Sequence, residues 1–103
     1  HQQGQLILIN KKVNATNCVT LYSDKRLLCV RFFVDNVDYI VFNVYGPSDD
    51  KERIVFLSCL RNIYKEHCNG QSKCIVAGDM NIVASQDLNI LSGRPHPAAC
   101  QFS

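Results

Sequence analysis

Apolar residues in this chain come in short blocks separated by clusters of polar turn formers. Leu6-Ile7-Leu8-Ile9 is a continuous apolar run of strand length, which predicts a buried strand ended by Asn10-Lys11-Lys12. The stretch from Val13 to Tyr22 is mixed, and Cys18-Val19-Thr20-Leu21-Tyr22 is its strand-like half. Ser23-Asp24-Lys25 reads as a turn. From Arg26 to Val34 the chain is dense in β-branched and aromatic residues, a clear strand signal. Asp35-Asn36 both tolerate positive φ and predict a hairpin turn. Residues 39–45 then return as the partner strand. Their apolar side chains fall on both faces, which predicts a central strand covered on both sides.

The period then changes. Gly46-Pro47 ends the strand, and Asp49-Asp50-Lys51-Glu52 has the form of a capping box, with Asp49 as N-cap and Glu52 reaching back. A helix is predicted from there to about Cys68. Phe56, Leu60, Ile63 and Tyr64 share one of its faces, while Arg53, Arg61 and Lys65 face water. Asn69-Gly70 closes it, with Gly70 as a left-handed cap. After a polar link, Cys74-Ile75-Val76-Ala77 reads as a buried strand that runs into Gly78-Asp79-Met80-Asn81. Beyond Asn81 the pattern predicts a loop with one helical turn. Punctuation follows at Leu91-Ser92-Gly93-Arg94-Pro95-His96-Pro97, and residues 98–103 read as the first turn of a helix. The order β, β, hairpin, helix, β, loop predicts the α/β class, with no repeats, low-complexity stretches or linkers.

Composition narrows this picture without redirecting it. At 103 residues the chain is at most one small domain, and its 47% hydrophobic and 19% charged content is that of a globular chain. A formal net charge of +2 is too small to diagnose a nucleic-acid binder, and the pairs Lys11-Lys12 and Lys25-Arg26 read as solvated turn ends. The six cysteines form neither a C-x-x-C nor a zinc pattern, and Cys29, Cys59 and Cys74 lie in apolar runs. This predicts a reduced, intracellular protein, nuclear or cytoplasmic, in which the Asn14-Ala15-Thr16 sequon is a chance match. No apolar run approaches the roughly 18 residues needed to cross a bilayer, so no membrane partner is expected. The opening His1-Gln2-Gln3-Gly4 is polar and lacks an initiating Met, which suggests a start in the middle of a longer chain.

The chemistry concentrates at Gly78-Asp79-Met80-Asn81. A strand ending in Gly-Asp-x-Asn delivers a carboxylate and a carboxamide to the carboxyl edge of a sheet, where open α/β sheets keep their ligands. Asp79 and Asn81 can both point from one turn toward a shared ligand. The alternative is an Asx-turn in which both side chains cap backbone groups.

Asn43-Val44-Tyr45-Gly46-Pro47, a helix, and then Val76-Ala77-Gly78-Asp79-Met80-Asn81 resemble the endonuclease/exonuclease/phosphatase superfamily. More narrowly, they look like the apurinic-endonuclease-like domain of non-LTR (LINE-type) retrotransposons, which accompanies a reverse transcriptase. That group carries N-[VI]-Y-x-P and G-D-F-N at the ends of successive strands. The strand after Gly4, the hairpin, and Leu88-x-Ile90-Leu91-Ser92-Gly93 extend the likeness to about residues 4 to 97. Met80 stands for the usual Phe, Ser48 for an Asn found after the Pro in many members, and Asn89 where an Asp is frequent. The last two put a phosphate or backbone contact and a charged contact in doubt.

The resemblance implies a partial four-layer α/β sandwich and hydrolysis of a phosphodiester bond, nicking DNA with Mg²⁺ or Mn²⁺. By analogy Asp79 orients or deprotonates water, Asn81 holds the phosphate or its metal, and Tyr45 donates its hydroxyl to a phosphate oxygen. Asn43 and Ser48 are substrate-side candidates, although Asn43 reads first as a structural amide and Tyr45 reads equally well as a half-buried strand-end aromatic. The family's upstream metal-binding Glu and its downstream Ser-Asp-His segment have no counterpart here. His96, between two prolines, is a poor candidate for that His. Residues 1–103 therefore read as the central part of an incomplete domain, inactive alone, holding its metal weakly and self-associating through exposed sheet edges. The alternatives are a non-catalytic interaction module, a functionless retroelement relic, or a piece of another phosphodiesterase or phosphatase of the superfamily.

Overall fold

A hairpin sets the register of the sheet. A computed structural model describes residues 4–82. In it Asp35 and Asn36 have φ of 51° and 65°, the paired positive values of a type I′ turn. The turn locks β2 (Leu27–Val34) antiparallel to β3 (Val37–Tyr45), from Val34 opposite Val37 to Leu27 opposite Val44. Strand β1 (Thr16–Ser23) adds antiparallel to β2 with two irregularities in its register. Helix α1 (Asp50–His67) crosses over, and β4 (Lys73–Asp79) returns parallel to β3. The spatial order is β1-β2-β3-β4. The chain is of the α/β class.

One core joins the helix to one face of the sheet. Leu27, Cys29, Ile40, Phe42 and Val44 meet Phe56, Leu57, Cys59, Leu60 and Ile63. Phe42 and Phe56 are fully buried, and such burial contributes roughly 1.5–3 kcal/mol per side chain. Asp49 caps α1 by accepting the Glu52 N–H at 3.0 Å, the first half of the expected capping box. Gly70 has a positive φ of 90° but is not the helix cap, which is the extended Cys68, its N–H donating to Tyr64 O.

Five expectations are corrected. Leu6–Ile9 forms no strand: the segment lies over the outer face of the sheet, bordering a cavity of about 240 Å³ with Val19, Val30 and Phe32. Its alternate side chains rest on that face, leaving Leu8 83% exposed, because the backbone joins no ladder. Strand β4 is not buried: six of its seven residues are exposed, since among the described residues it pairs only with β3. Strand β3 is central as expected but buried only toward the helix, and its opposite face is half-buried. Arg53 does not face water. It is 3% exposed, its guanidinium donating to Ser48 O at 3.1 Å and to the Asp50 carboxylate at 2.8 Å. Tyr64, expected on the packed face, tilts against Phe42 there but stays 43% exposed.

The cysteines divide. Cys18, Cys29, Cys68 and Cys74 are free thiols, whereas Cys59 is disulfide-bonded, so the expectation of a wholly reduced chain fails there. Burial pushes the Cys29 and Cys68 thiols up to about 12, with the neighbouring Cys74 adding to both. No helix among the described residues is long and apolar enough to cross a membrane.

Polar contacts fix both ends of the sheet. At one end Arg31 pairs bidentately with Asp38 at 2.9 and 2.7 Å, and Ser72 donates to the same carboxylate at 2.8 Å. The Arg31 hydrogen bonds hold Asp38 below the usual carboxylate range. At the other end the Asp24 carboxylate accepts from the Arg26 and Leu27 N–H groups and the Tyr22 hydroxyl. Tyr45 N–H donates to Arg26 O at 2.8 Å. The β1–β2 turn, with Lys25 and Arg26, therefore lies against the carboxyl end of β3.

Gly78 is the position this arrangement tolerates least. Its φ is +123°, and a Cβ there would lie 2.0 Å from Val44 O. Gly78→Ala is expected to destabilise the fold by about 2 kcal/mol or more in urea melts, through strain and loss of the β3–β4 ladder end. Gly4→Ala, with nothing within 4 Å, is expected to change it by less than about 0.5 kcal/mol. Equal effects at the two positions would contradict the packing.

Candidate functional site at the carboxyl edge of the sheet

Two glycines let β3 and the end of β4 approach more closely than side chains would allow. A Cβ on Gly46 would sit 2.3 Å from Met80 O, as one on Gly78 would crowd Val44 O. Gly46 is then bound on both sides. Its N–H donates to Asp79 O at 2.6 Å, and its carbonyl accepts from the Asn81 side-chain amide. Asn81 reaches this position with a φ of 54°, a left-handed conformation that Asn adopts readily. Asp79 Oδ1 accepts the Asn81 N–H at 2.9 Å and closes an Asx-turn. The structural alternative read from the sequence is thus realised for one carboxylate oxygen and for the Asn81 amide nitrogen. Asp79 Oδ2 and Asn81 Oδ1 enter no described hydrogen bond.

The parallel register sets Tyr45 beside Asp79 and Asn43 beside Ala77. Alternation along the strands puts Asn43, Tyr45 and Asp79 on the sheet face opposite the helix. There Asn43 and Tyr45 line an open cavity of about 490 Å³, with Gln5, Lys25 and the backbone of Gly4. The Arg26 guanidinium stacks over the Tyr45 ring, 5.0 Å from its centroid, and reaches Tyr45 O at 3.5 Å. Among the described residues, the Gln5 amide atoms and Arg26 Nε are buried and have no hydrogen-bond partner. Buried polar atoms usually find a partner in protein, water or ligand, so these orphans mark a place where something polar is accommodated.

Of the residues singled out in the sequence, Asn43, Tyr45, Asp79 and Asn81 come together at this edge. Ser48 does not line the cavity: it is exposed, and its described contact is the carbonyl bond to Arg53. Sequence reading passed over Gln5 and took Lys25-Arg26 for a solvated turn end, although the pair lies at the carboxyl end of β3. Its signal was the antiparallel hairpin itself, which returns the start of β2 to the end of β3. Asn89, His96 and the Leu88-to-Gly93 stretch, like the loop, punctuation and terminal helical turn expected beyond them, lie outside the described residues.

The oxygens of Asp79 and Asn81 are of the kind Mg²⁺ prefers. Among the described residues, however, no group of three or more His, Cys, Asp or Glu comes together that could hold a metal ion. The described residues alone do not make a complete metal site. No family model matches the chain, and neither a curated protein nor a solved structure matches it.

Removing the Asn81 amide tests the clamp. Asn81→Ala is expected to cost about 1 kcal/mol and to speed hydrogen exchange at the Gly46 N–H, because the turn that holds it loosens. Unchanged exchange at Gly46 in a folded variant would show that the clamp does not hold this edge.

Proposed function

We propose that this chain carries the central part of a divalent-metal-dependent phosphodiester hydrolase site, of the DNA-nicking kind found in LINE-type retrotransposon endonucleases. The observation that carries the reading is the convergence of Asp79, Asn81, Tyr45 and Asn43 at one sheet edge, beside a cavity that also holds Lys25. Every group this cavity offers as a donor suits a phosphodiester: the Lys25 ammonium, the Tyr45 hydroxyl, and the Asn43 and Gln5 amides. Asp79 keeps one carboxylate oxygen to orient water or take its proton. Asn81 holds the turn that aims it. The other described carboxylate at this end, Asp24, is taken up by the turn it holds, and no group of three metal-binding side chains forms among the described residues, so the 103-residue chain is expected to bind nucleic acid weakly and not to cleave it.

A non-catalytic binding module is the second reading, and the Asx-turn favours it, because that turn ties up half of the Asp79 carboxylate. The two share the cavity and differ in whether Asp79 acts on water.

Fluorescence anisotropy with a labelled DNA duplex in Mg²⁺ is expected to show weak, salt-dependent binding. Lys25→Ala and Tyr45→Phe are expected to weaken it several-fold while supercoiled plasmid stays intact. Binding indifferent to both substitutions in folded protein would overturn the proposal. Plasmid nicking that disappears in Asp79→Ala would instead show that the chain completes a working site.

A further inference from the structure

Among the described residues β4 is the last strand of the sheet, with β3 on one side of it. Its carboxyl-terminal hydrogen bonds show which backbone groups are free. Asp79 O accepts from Gly46, and Val44 O lies against Gly78, so the Asp79 peptide groups face β3. In the regular ladder that pairs residues 73–79 with 39–45, the odd positions of β4 follow Asp79. The N–H and C=O groups of Cys74, Val76 and Gly78 therefore point away from the sheet. Among the described residues no strand receives them. Natural edges are commonly protected by an interior Lys, a Pro or a bulge. Between its two ends β4 has none of these, and Ile75 and Val76 are 47% and 40% exposed.

We infer that β4 pairs antiparallel with β4 of a second copy of this chain, about a two-fold axis at Val76. The charges choose this occupant and this register. Lys73 and Asp79 are the only charges on the strand, both exposed, both on the face opposite the helix and both without a described ion pair. They lie three residues to either side of Val76. Centring the dyad there sets each Lys73 opposite the partner's Asp79. It also sets Ile75 against Ala77, a large side chain against a small one, and Cys74 against Gly78. Val76 meets its own copy. Because Val76 and its even neighbours are the outward-facing positions, this register makes the Val76 pair a hydrogen-bonded one, with about six backbone bonds across the dyad. A slip of one residue would oppose inward-facing groups and separate the charges. The dyad stands perpendicular to the sheet, so both copies of α1 lie on one side of a continuous eight-stranded sheet. The groove beside Val76, lined by Leu60, Arg61, Tyr64 and Met80, then faces its symmetry mate across the seam.

A single strand pair is a contact at the low end of interface sizes, so weak, concentration-dependent association is expected. The inference does not depend on the hydrolase reading. Sedimentation equilibrium of the 103-residue chain from low to high micromolar concentration tests it. A monomer–dimer equilibrium is expected. Val76→Pro removes an N–H that points outward and spares the β3 ladder, so it is expected to abolish the dimer while circular dichroism stays native. Should that variant fail to fold, a charge exchange serves. Lys73→Glu and Asp79→Lys each place like charges opposite one another and weaken self-association about tenfold, whereas their equimolar mixture pairs opposite charges at both ends and restores it. A monomer at every concentration, the outcome if another segment occupies the edge, would overturn the inference. So would open-ended oligomers, a dimer that survives Val76→Pro in the folded variant, or a mixture no tighter than its components.

Discussion

The Gly46 peptide is the joint on which this structure turns. One of its sides donates to Asp79 O and the other accepts from the Asn81 side chain, so the strand that ends at Tyr45 and the one that ends at Asp79 finish as one unit. Only glycine permits this. A side chain at position 46 would meet Met80 O, and one at position 78 would meet Val44 O. The same bonds that close the β3–β4 edge also set the direction of the Asp79 carboxylate. Stability and site geometry are therefore one constraint here, and a residue such as Asn81 has a structural role whether or not it ever touches a ligand.

Topology gathers the remaining chemistry at that edge. An antiparallel hairpin returns the start of β2 to the end of β3, and the crossover helix makes β4 parallel to β3. Three elements thus present one end each: a basic turn, a strand ending in Tyr, and a strand ending in Asp. Asp24 holds the turn in place by accepting two backbone N–H groups, which seats Arg26 on the Tyr45 ring and leaves Lys25 at the cavity. The opposite end of the sheet is closed by the Arg31, Asp38 and Ser72 network, whose partners are already matched to one another. Buried polar atoms with no partner among the described residues occur at the first end, beside the cavity.

Much of the framework could be read from local sequence. Asp35-Asn36 has few conformations open to it, and the structure uses the expected one. The helix announced itself through Asp49 and the spacing of Phe56, Leu60 and Ile63. The pairing of Asp79 with Asn81 followed from two residues in one turn. What failed was burial, which depends on what covers a residue and not on its own character. Ile75 and Val76 looked buried because they are apolar, yet among the described residues β4 pairs with β3 alone. Arg53 looked solvent-facing because it is charged, yet a carbonyl and a carboxylate at the helix start receive its guanidinium. The role of Lys25-Arg26 depended on strand pairing, which links residues that the sequence keeps well apart.

The central claim is that the carboxyl edge of β3 and β4 is where this protein meets a phosphodiester. The direct measurement is an amide-resolved NMR titration with a short oligodeoxynucleotide in the presence of Mg²⁺. The account predicts shifts concentrated at Lys25, Asn43, Tyr45, Asp79 and Asn81, with Arg31, Asp38 and Ser72 at the far end unmoved. Shifts centred on that far end, or none at nucleotide concentrations in the millimolar range typical of weak binding, about 1 mM, would contradict it.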